Sequence, residues 1–313
     1  MRVLFHFNAD GALAARLAAL SGSGLDVVAV PEADVAGFDA ALPAADALWH
    51  VLRPVTAADF AGAQRLKLVQ KFGVGVNTID LDAAKRHGVA VCNLPGSNSR
   101  AVAEMTLMLM LGCLRQWPAL AGVAAEHRDW TLPGPLQARL GEIGGRTVGF
   151  VGAGAIPSTL APWLAAMGAR VVYAARGDRT GPWTRLDLDA LIERADIVSL
   201  HVPATAQTQG LLSAARIARM KPGAILVNTA RGALVDETAL ARALADGRIA
   251  AAGLDVTAVE PLPADHPLRR LPNVVLTPHA AWLTRETFER SIDVAADNVR
   301  RLARGEPLLH RVA

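Results

Sequence analysis

The sequence predicts an α/β protein built from two doubly wound parallel-sheet domains. Its 313 residues exceed what one compact core usually holds, so two domains are expected. Apolar residues make up 52% and charged residues 19% of the chain, which is typical of a folded protein. Strand-like and helix-like segments alternate in two series, the second from Gly145 onward, and such alternation indicates parallel sheets covered by helices.

The first series contains five short apolar segments that predict strands. Helical patterns separate them, most clearly at 11–20 and 80–88, and a nearly apolar helical stretch at 99–116 predicts a buried or interface helix. The predicted strands are RVLFHF (2–7), LDVVAV (25–30), ALWHV (47–51), LKLVQKF (66–72) and VAVCN (89–93).

The second series ends in an amphipathic helix that begins at Thr284 and ends by Gly305. In the preceding predicted helix, at 236–246, Asp236 is the expected N-cap and Gly247 is the residue at which the helix is expected to end. Residues 133–145 look like a loop. The predicted strands are 147–151, 170–174, 196–201, 224–228, 251–255 and 274–277, and the predicted helices are 184–194, 213–220 and 236–246.

Charge and cysteine content favour a small-molecule protein. The net charge is +3 with scattered arginines, so no nucleic-acid partner is expected. Cys92 and Cys113 lack C-x-x-C spacing and are expected to be buried, and no metal site is predicted.

The N-terminus resembles a strand rather than a leader, which favours a cytoplasmic location. The uncharged run 147–169 contains glycines and prolines that favour a strand, turn and helix over a membrane span.

A glycine-spaced turn follows the predicted strand TVGFV. Gly152 and Gly154 precede a helical segment, and amides at a helix N-terminus favour an anion. We therefore expect the amides of Ala155 and Ile156 to hold a dinucleotide pyrophosphate, although a structural corner without a ligand is the alternative. Pro157 replaces a third glycine and removes one donor. Pro162 is expected to kink or loosen the same helix.

The strand after this turn bears on cofactor choice. In NAD-binding sheets an acid about 20 positions past the glycines binds the ribose hydroxyls, whereas an arginine accommodates a 2′-phosphate. Ala175 stands 21 positions past Gly154, followed by Arg176 and Arg179. This pattern favours NADP, with NAD as the alternative if both arginines are ordinary surface charges.

Four later segments share the pattern of one protein family: 68–107, ILVNTARGALVDETALARAL around Arg231, AAGLDVTAVEPLP around Glu260 and NVVLTPHAAWLTRET around His279. Together they resemble the D-isomer-specific 2-hydroxyacid dehydrogenase family, which includes glyoxylate/hydroxypyruvate reductases and lactate, formate, phosphoglycerate and phosphite dehydrogenases. The resemblance implies a flavodoxin-like substrate-binding domain at 1–97 and 283–313, and a Rossmann-type dinucleotide-binding domain at 98–282. It also implies a homodimer formed through the helical arm after residue 98.

The family's arginine, glutamate and histidine match Arg231, Glu260 and His279. Reduction of a 2-oxo acid needs a cation for the carboxylate, and Arg231 can bind it with a planar fork. It also needs a proton for the carbonyl oxygen, and His279 can supply that proton near neutral pH. Glu260 is expected to orient the imidazole and to favour its protonated form.

Other site residues are implied by the resemblance alone. The amides of Val74 and Gly75 match the family's substrate-carboxylate turn, and Asp255 matches the residue that binds the nicotinamide carboxamide. Trp282 and Trp130 could wall the pocket or simply pack in the core. The cofactor side is completed by Pro203, Thr208, Thr229 and Ala230.

These observations predict an NADP-preferring reductase of small 2-oxo acids, with glyoxylate and hydroxypyruvate as the leading substrates. No second cluster of cations appears that a phosphorylated acid would require, although Arg53 is one candidate. One alternative is an NAD-dependent phosphoglycerate- or phosphite-type dehydrogenase. The other is a non-catalytic protein that senses dinucleotides.

Overall fold

The fold is described for residues 1–126, 131–177 and 183–313 of a computed structural model. The chain forms two compact units. Unit 1 comprises Met1–Asn98 and Leu283–Ala313, and unit 2 comprises Ser99–Trp282. The boundaries expected from the sequence lie after residues 97 and 282, and the roles assigned to the two domains remain predictions.

Unit 1 contains a five-stranded parallel sheet in the order β2-β1-β3-β4-β5. This 2-1-3-4-5 order is the flavodoxin-like one. Its strands are β1 (Arg2–His6), β2 (Asp26–Val30), β3 (Ala47–His50), β4 (Leu68–Lys71) and β5 (Ala90–Cys92). Its helices are α1 (Gly11–Ser21), α2 (Val35–Ala41), α3 (Ala57–Gly62), α4 (Leu81–Arg86) and α12 (Arg285–Arg304).

Unit 2 contains a seven-stranded parallel sheet in the order β12-β11-β10-β9-β6-β7-β8. Its strands are β6 (Thr147–Val151), β7 (Arg170–Ala174), β8 (Thr184–Arg185), β9 (Ile197–Leu200), β10 (Ala224–Asn228), β11 (Ile249–Leu254) and β12 (Val274–Leu276). Its helices are α5 (Ser99–Leu114), α6 (Trp117–Glu126), α7 (Gly134–Gln137), α8 (Ala155–Ala166), α9 (Leu188–Arg194), α10 (Ala214–Arg219) and α11 (Glu237–Ala245).

The strand order of unit 2 reverses between β6 and β9, as in a Rossmann-type sheet. In open parallel sheets, ligands bind outside the carboxyl ends of the strands at such a reversal. The predicted fold class of two parallel-sheet α/β domains is therefore confirmed, and the topology places a binding edge next to Gly152.

Two predicted elements of unit 2 differ from the structure. The helix predicted at 184–194 begins only at Leu188, because Thr184 and Arg185 form β8. β8 pairs with Val172 and Tyr173 of β7, and this tertiary pairing outweighs the helical pattern. The loop expected at 133–145 also contains the short helix α7.

The helix ends follow local sequence signals. Asp236 caps α11 by accepting a hydrogen bond from Ala239 N, and Thr284 caps α12 in the same way. Gly305 ends α12 in the left-handed conformation at φ 69°. α8 continues through Pro162 to Ala166, so the helix does not end at that proline.

Helix α5 packs inside unit 2, as its apolar sequence predicts. Its side chains Leu109, Met110 and Cys113 are buried. A Cβ on Gly253 of β11 would lie 2.9 Å from the Cβ of Leu109, so glycine is what allows α5 to approach this strand. Cys92 and Cys113 are both buried free thiols.

The uncharged run at 147–169 folds as β6, a turn and α8. Across the three described stretches of the chain, none of the helices by itself has the length and apolar content needed to cross a membrane. The bent pair formed by α5 and residues 117–125 passes the same test by length and composition only.

Two histidines and a lysine stand in a row at the carboxyl edge of the unit 1 sheet. His6, His50 and Lys71 are register partners on β1, β3 and β4, and all three are buried. Burial, together with the charge of Lys71, lowers the pKa of His50 to about 3. The folded state therefore keeps this imidazole neutral at pH 5, whereas the unfolded chain protonates it.

This difference predicts that acid destabilises the protein. An unfolded histidine titrates near pH 6.5, so His50 alone removes about 2 kcal/mol from the free energy of unfolding between pH 7 and pH 5. Urea unfolding at the two pH values measures this loss. In His50→Asn the loss should be smaller by about that amount, whereas the exposed control His87→Asn should match the wild type. Equal losses in all three proteins would contradict the prediction.

Candidate active site

The predicted cofactor and catalytic residues of unit 2 that the structure describes lie in the segments after the carboxyl ends of its strands. Because all seven strands are parallel, these segments share one edge of the sheet. A cavity of about 430 Å³ beside Thr147, Arg170 and Trp183 contains none of the predicted residues and lies at the amino ends of β6 and β7.

The two glycines of the turn after β6 are needed for different physical reasons. Gly152 has φ 108°, and a Cβ there would collide with the carbonyl oxygen of His201 after β9. The fold itself therefore requires this glycine. Gly154 has φ −87°, and a Cβ there would meet nothing within 4 Å. Open space in front of a helix is what an anion needs.

α8 begins directly behind this space. Gly154 is its N-cap, and no side chain caps the helix. The amides of Ala155 and Ile156 belong to the first turn, where they have no intrahelical acceptor. Pro157 is buried as the third helical residue and offers no N–H. This N-terminus fits a pyrophosphate through the two amides that the sequence indicated.

The expected ribose position lies at the end of β7. Ala175 and the exposed Arg176 follow the strand, whereas Arg179 lies outside the described residues. Arg185 of β8 donates to the carbonyl of Ala175 at 3.0 Å. Arg185 carries no sequence signal for this site, because its contact depends on the two-residue strand β8.

The loops after β9 and β10 are held by short polar contacts. The Thr208 hydroxyl donates to the carbonyl of Pro203 at 2.6 Å, which closes the first loop. The Thr229 hydroxyl lies 3.0 Å from the Thr106 hydroxyl on α5. The Thr229 side chain therefore contacts α5 within unit 2. The role of these residues toward a cofactor remains a prediction.

Asn228, which sequence analysis did not single out, holds the backbone around Arg231. It is 1% exposed; its side-chain oxygen accepts from Ala230 N at 3.0 Å, and its amide donates to Arg231 O at 2.9 Å. The Arg231 guanidinium donates to Ala230 O at 2.6 Å. Burial lowers the pKa of Arg231 and the charge of Glu260 opposes this, but a guanidinium stays charged at neutral pH.

Gly232 brings this loop against the loop that carries Glu260. A Cβ at Gly232 would overlap the carbonyl group of Thr257 and the amide of Ala258. Glycine therefore sets the spacing between Arg231 and the loop at 257–260.

Glu260 and His279 form a direct pair. Glu260 Oε2 lies 2.7 Å from His279 Nδ1, and Glu260 Oε1 accepts from Thr257 N at 3.1 Å. Burial raises the pKa of Glu260, but the hydrogen bond and charge of His279, the Thr257 N–H and the Arg231 charge lower it below its usual value. Glu260 is therefore a carboxylate that accepts a hydrogen bond from the Nδ1–H of His279, and Nε2 is the ring nitrogen that does not contact Glu260.

Asp255 organises the segment that carries His279. Its carboxylate is 2% exposed and accepts from the Thr277 hydroxyl at 2.6 Å, Ala280 N at 2.8 Å and Ala281 N at 3.0 Å. These three contacts are all with the segment that follows β12. Binding of a nicotinamide carboxamide by Asp255 remains a prediction.

Glu237 is a second acid that sequence analysis missed. Its Oε1 accepts from Ala258 N at 2.6 Å and anchors the loop that ends at Glu260. Burial raises the pKa of Glu237, while the hydrogen bond from Ala258 and the charge of His266 oppose the rise. The contact joins positions 21 residues apart, so no local sequence pattern predicts it.

Val74 and Gly75 belong to unit 1, in the turn after β4. Asn93 donates to the carbonyl of Val74 at 2.9 Å, and Leu94 N donates to the carbonyl of Gly73 at 2.9 Å. The turn is therefore held through its carbonyl groups, and substrate binding by the amides of Val74 and Gly75 remains a prediction.

The unit 2 site thus combines an uncapped helix N-terminus with a cation, a carboxylate and an imidazole. Such a set can orient an acid, donate or accept a proton and accommodate the phosphates of a dinucleotide. Together with the strand order, this arrangement is typical of a dinucleotide-binding α/β domain.

Comparison with known proteins identifies the family. Residues 107–281 match the model of the D-isomer specific 2-hydroxyacid dehydrogenase NAD binding domain. The chain belongs to the D-isomer specific 2-hydroxyacid dehydrogenase family, and the sequence-based recognition is confirmed. The family is one of NAD(P)-dependent enzymes that act on small 2-hydroxy or 2-oxo acids.

Curated relatives within this family carry different names. The D-3-phosphoglycerate dehydrogenase of Mycobacterium tuberculosis H37Rv is 43% identical over 279 residues, which are 85% of this chain and 51% of that protein. The chain thus spans about half the length of that relative. The glyoxylate reductase of Aeropyrum pernix is 39% identical over 276 residues, covering 84% of this chain and 81% of that protein.

Among solved structures, the TT0316 protein of Thermus thermophilus is similar along its whole length. It is 38% identical with a TM-score of 0.90, and the match covers 100% of each chain. The fold assigned above is therefore shared over both units.

We predict that Gly232→Ala disables the site while leaving the sheet intact. The added Cβ must push the loop at 257–260 away from Arg231. A misplacement of about 1 Å in an active site costs about 10²-fold in kcat/KM. Steady-state kinetics and circular dichroism measure activity and folding. Gly62→Ala on α3 is the control, since a Cβ there meets nothing within 4 Å. Wild-type kcat/KM in Gly232→Ala would refute this account of the glycine.

Proposed function

We propose that this chain is an NADP-preferring reductase of small 2-oxo acids, with glyoxylate and hydroxypyruvate as its leading substrates. The pair formed by Glu260 and His279 at 2.7 Å, together with the Arg231 loop that Gly232 holds against the loop of Glu260, carries this proposal. A general acid, its orienting carboxylate and a carboxylate-binding cation are the protein groups that the reduction needs.

Each of these side chains has a part in the proposed reaction. Arg231 binds the substrate carboxylate and polarises the neighbouring carbonyl. His279 donates the Nε2 proton to the carbonyl oxygen, and Glu260 stabilises the imidazolium before the transfer and fixes the ring orientation. A bound reduced nicotinamide supplies the hydride. In the oxidation of a 2-hydroxy acid, neutral His279 accepts the proton instead.

The NADP preference is supported by charges at the end of β7. Ala175 occupies the position of the ribose-binding acid, and Arg176 follows it with an exposed side chain. Arg185 donates to the carbonyl at the same place, which adds a second guanidinium. Guanidinium groups attract a 2′-phosphate through paired charge-assisted hydrogen bonds.

The preference for a small acid is supported by the state of Arg53. This residue was the candidate cation for a phosphorylated substrate. In the structure its guanidinium lies 3.2 Å from Asp59 and 3.7 Å from Asp39, and it covers the ring of Phe38. Two carboxylates already neutralise the charge that a substrate phosphate would need.

We also propose a cytoplasmic homodimer. The arm formed by α5 and α6 exposes large apolar side chains, with Met108 42% and Trp117 60% accessible. Burial of such side chains against a second copy is the physical reason for the dimer.

A substrate panel tests the proposed reaction. Consumption of NADPH at 340 nm should be fastest with glyoxylate or hydroxypyruvate and slower with 3-phosphohydroxypyruvate. His279→Ala should reduce kcat about 10²-fold or more, because the proton donor is lost. Tight NADPH binding without turnover of any acid would instead favour a dinucleotide sensor.

The cofactor preference has its own test. Arg176→Ala should weaken NADPH binding by about 10-fold while NADH binding changes little, because only NADPH carries the 2′-phosphate. Titration of cofactor fluorescence gives both dissociation constants. Arg170→Ala, at the other end of β7, is the control. Unchanged NADPH affinity in Arg176→Ala, or tighter wild-type binding of NADH, would overturn the NADP assignment.

A further inference from the structure

We propose that Trp282 is a positioning residue for His279. Its indole N–H donates to the backbone carbonyl of His279 at 3.0 Å and thereby fixes the direction from which the imidazole leaves the chain. The inference rests on the proposed function, since it takes His279 as the proton donor.

His279 has an uncommon backbone conformation. Its φ is 52°, in the left-handed region that few residues other than glycine adopt. Such a conformation persists only when surrounding contacts hold it. The position of the imidazole therefore depends on what binds the backbone on each side of residue 279.

The bonds on the N-terminal side are made by backbone groups. His279 N donates to the carbonyl oxygens of Asp255 at 2.8 Å and Thr277 at 3.0 Å. These contacts fix where the chain enters the residue, but they do not determine how the following peptide group is turned.

That following peptide group is gripped at both ends by side chains. Its N–H, from Ala280, donates to the buried carboxylate of Asp255 at 2.8 Å, and its carbonyl, from His279, accepts from Trp282 Nε1. A planar peptide group held at both its N–H and its C=O cannot rotate. Loss of the indole contact leaves the carbonyl end free to turn, and the backbone of His279 turns with it.

The indole suits this task because it is enclosed. Trp282 is 9% exposed, and a buried indole N–H requires an acceptor. The His279 carbonyl and the Trp282 N–H therefore satisfy each other within a turn of three residues. The contact is local enough to act on His279 without altering Arg231.

Misdirection of the imidazole has a specific consequence. The Nδ1 bond to Glu260 is 2.7 Å long, and the proton leaves from the opposite nitrogen. A small rotation of the backbone therefore weakens the Glu260 contact and moves Nε2 away from the substrate oxygen. The rate of proton transfer should fall, while binding of acid by Arg231 and of cofactor by the helix N-terminus should not.

Kinetics of Trp282→Phe test the inference. This variant keeps an apolar ring and removes the N–H, so kcat should fall about 10-fold, with each KM within about twofold of wild type. Trp163→Phe on α8 is the matched control and should keep wild-type kcat. In a His279→Ala background, Trp282→Phe should change the residual rate by less than about twofold, because its effect passes through the imidazole. A merely structural role would lower the rate equally in both backgrounds and would overturn the inference.

A second readout does not depend on turnover. In protein with isotope-labelled histidine, the ring signal absent from His279→Ala identifies His279. Trp282→Phe should shift this signal and its pH titration, whereas Trp163→Phe should not. If the Phe variant does not fold, incorporation of the benzothienyl analogue at position 282 replaces the N–H by sulfur without changing the ring shape.

The role of His279 as proton donor and the positioning role of Trp282 can be rejected separately. An active His279→Ala protein would reject His279 as proton donor and hence the proposed mechanism. An inactive His279→Ala protein combined with wild-type kcat and an unshifted His279 signal in Trp282→Phe would reject only the positioning role.

Discussion

The arrangement of the candidate active site depends on one buried carboxylate. Asp255 lies at the end of β11 and binds three groups of the segment that follows β12, the Thr277 hydroxyl and the amides of Ala280 and Ala281. These bonds join two neighbouring strand ends and hold His279 between them. Without this junction, the left-handed backbone of His279 and its contact with Glu260 would lack support.

The spacing of the loops that carry Arg231 and Glu260 depends on a second contact, which is made between backbones. Gly232 lets the backbone at Thr257 and Ala258 approach so closely that a methyl group would overlap it. Glu237 then binds Ala258 N and sets the loop that ends at Glu260. The cation and the carboxylate thus keep their spacing because two backbones touch.

Much of the fold and the chemical groups of the site were predictable from sequence, because their signals are local. Strand boundaries at 147–151 and 224–228 and the caps Asp236, Thr284 and Gly305 follow from short patterns. β8 did not, since two residues become a strand only by pairing with β7. Asn228, Glu237 and Arg185 were missed for a similar reason, because each acts through the loop geometry and pairing of the folded sheet. Asp255 was recognised by its motif, but its contacts 22 to 26 positions away required the fold.

The most direct test of the account is a crystal structure of the chain with NADP⁺ and oxamate, an unreactive analogue of a 2-oxo acid. We expect the oxamate carboxylate to bind the Arg231 guanidinium and the oxamate carbonyl oxygen to lie within hydrogen-bond distance of His279 Nε2. Oxamate bound away from both groups, with Glu260 and His279 still paired, would contradict the central claim that these residues form a reductase site.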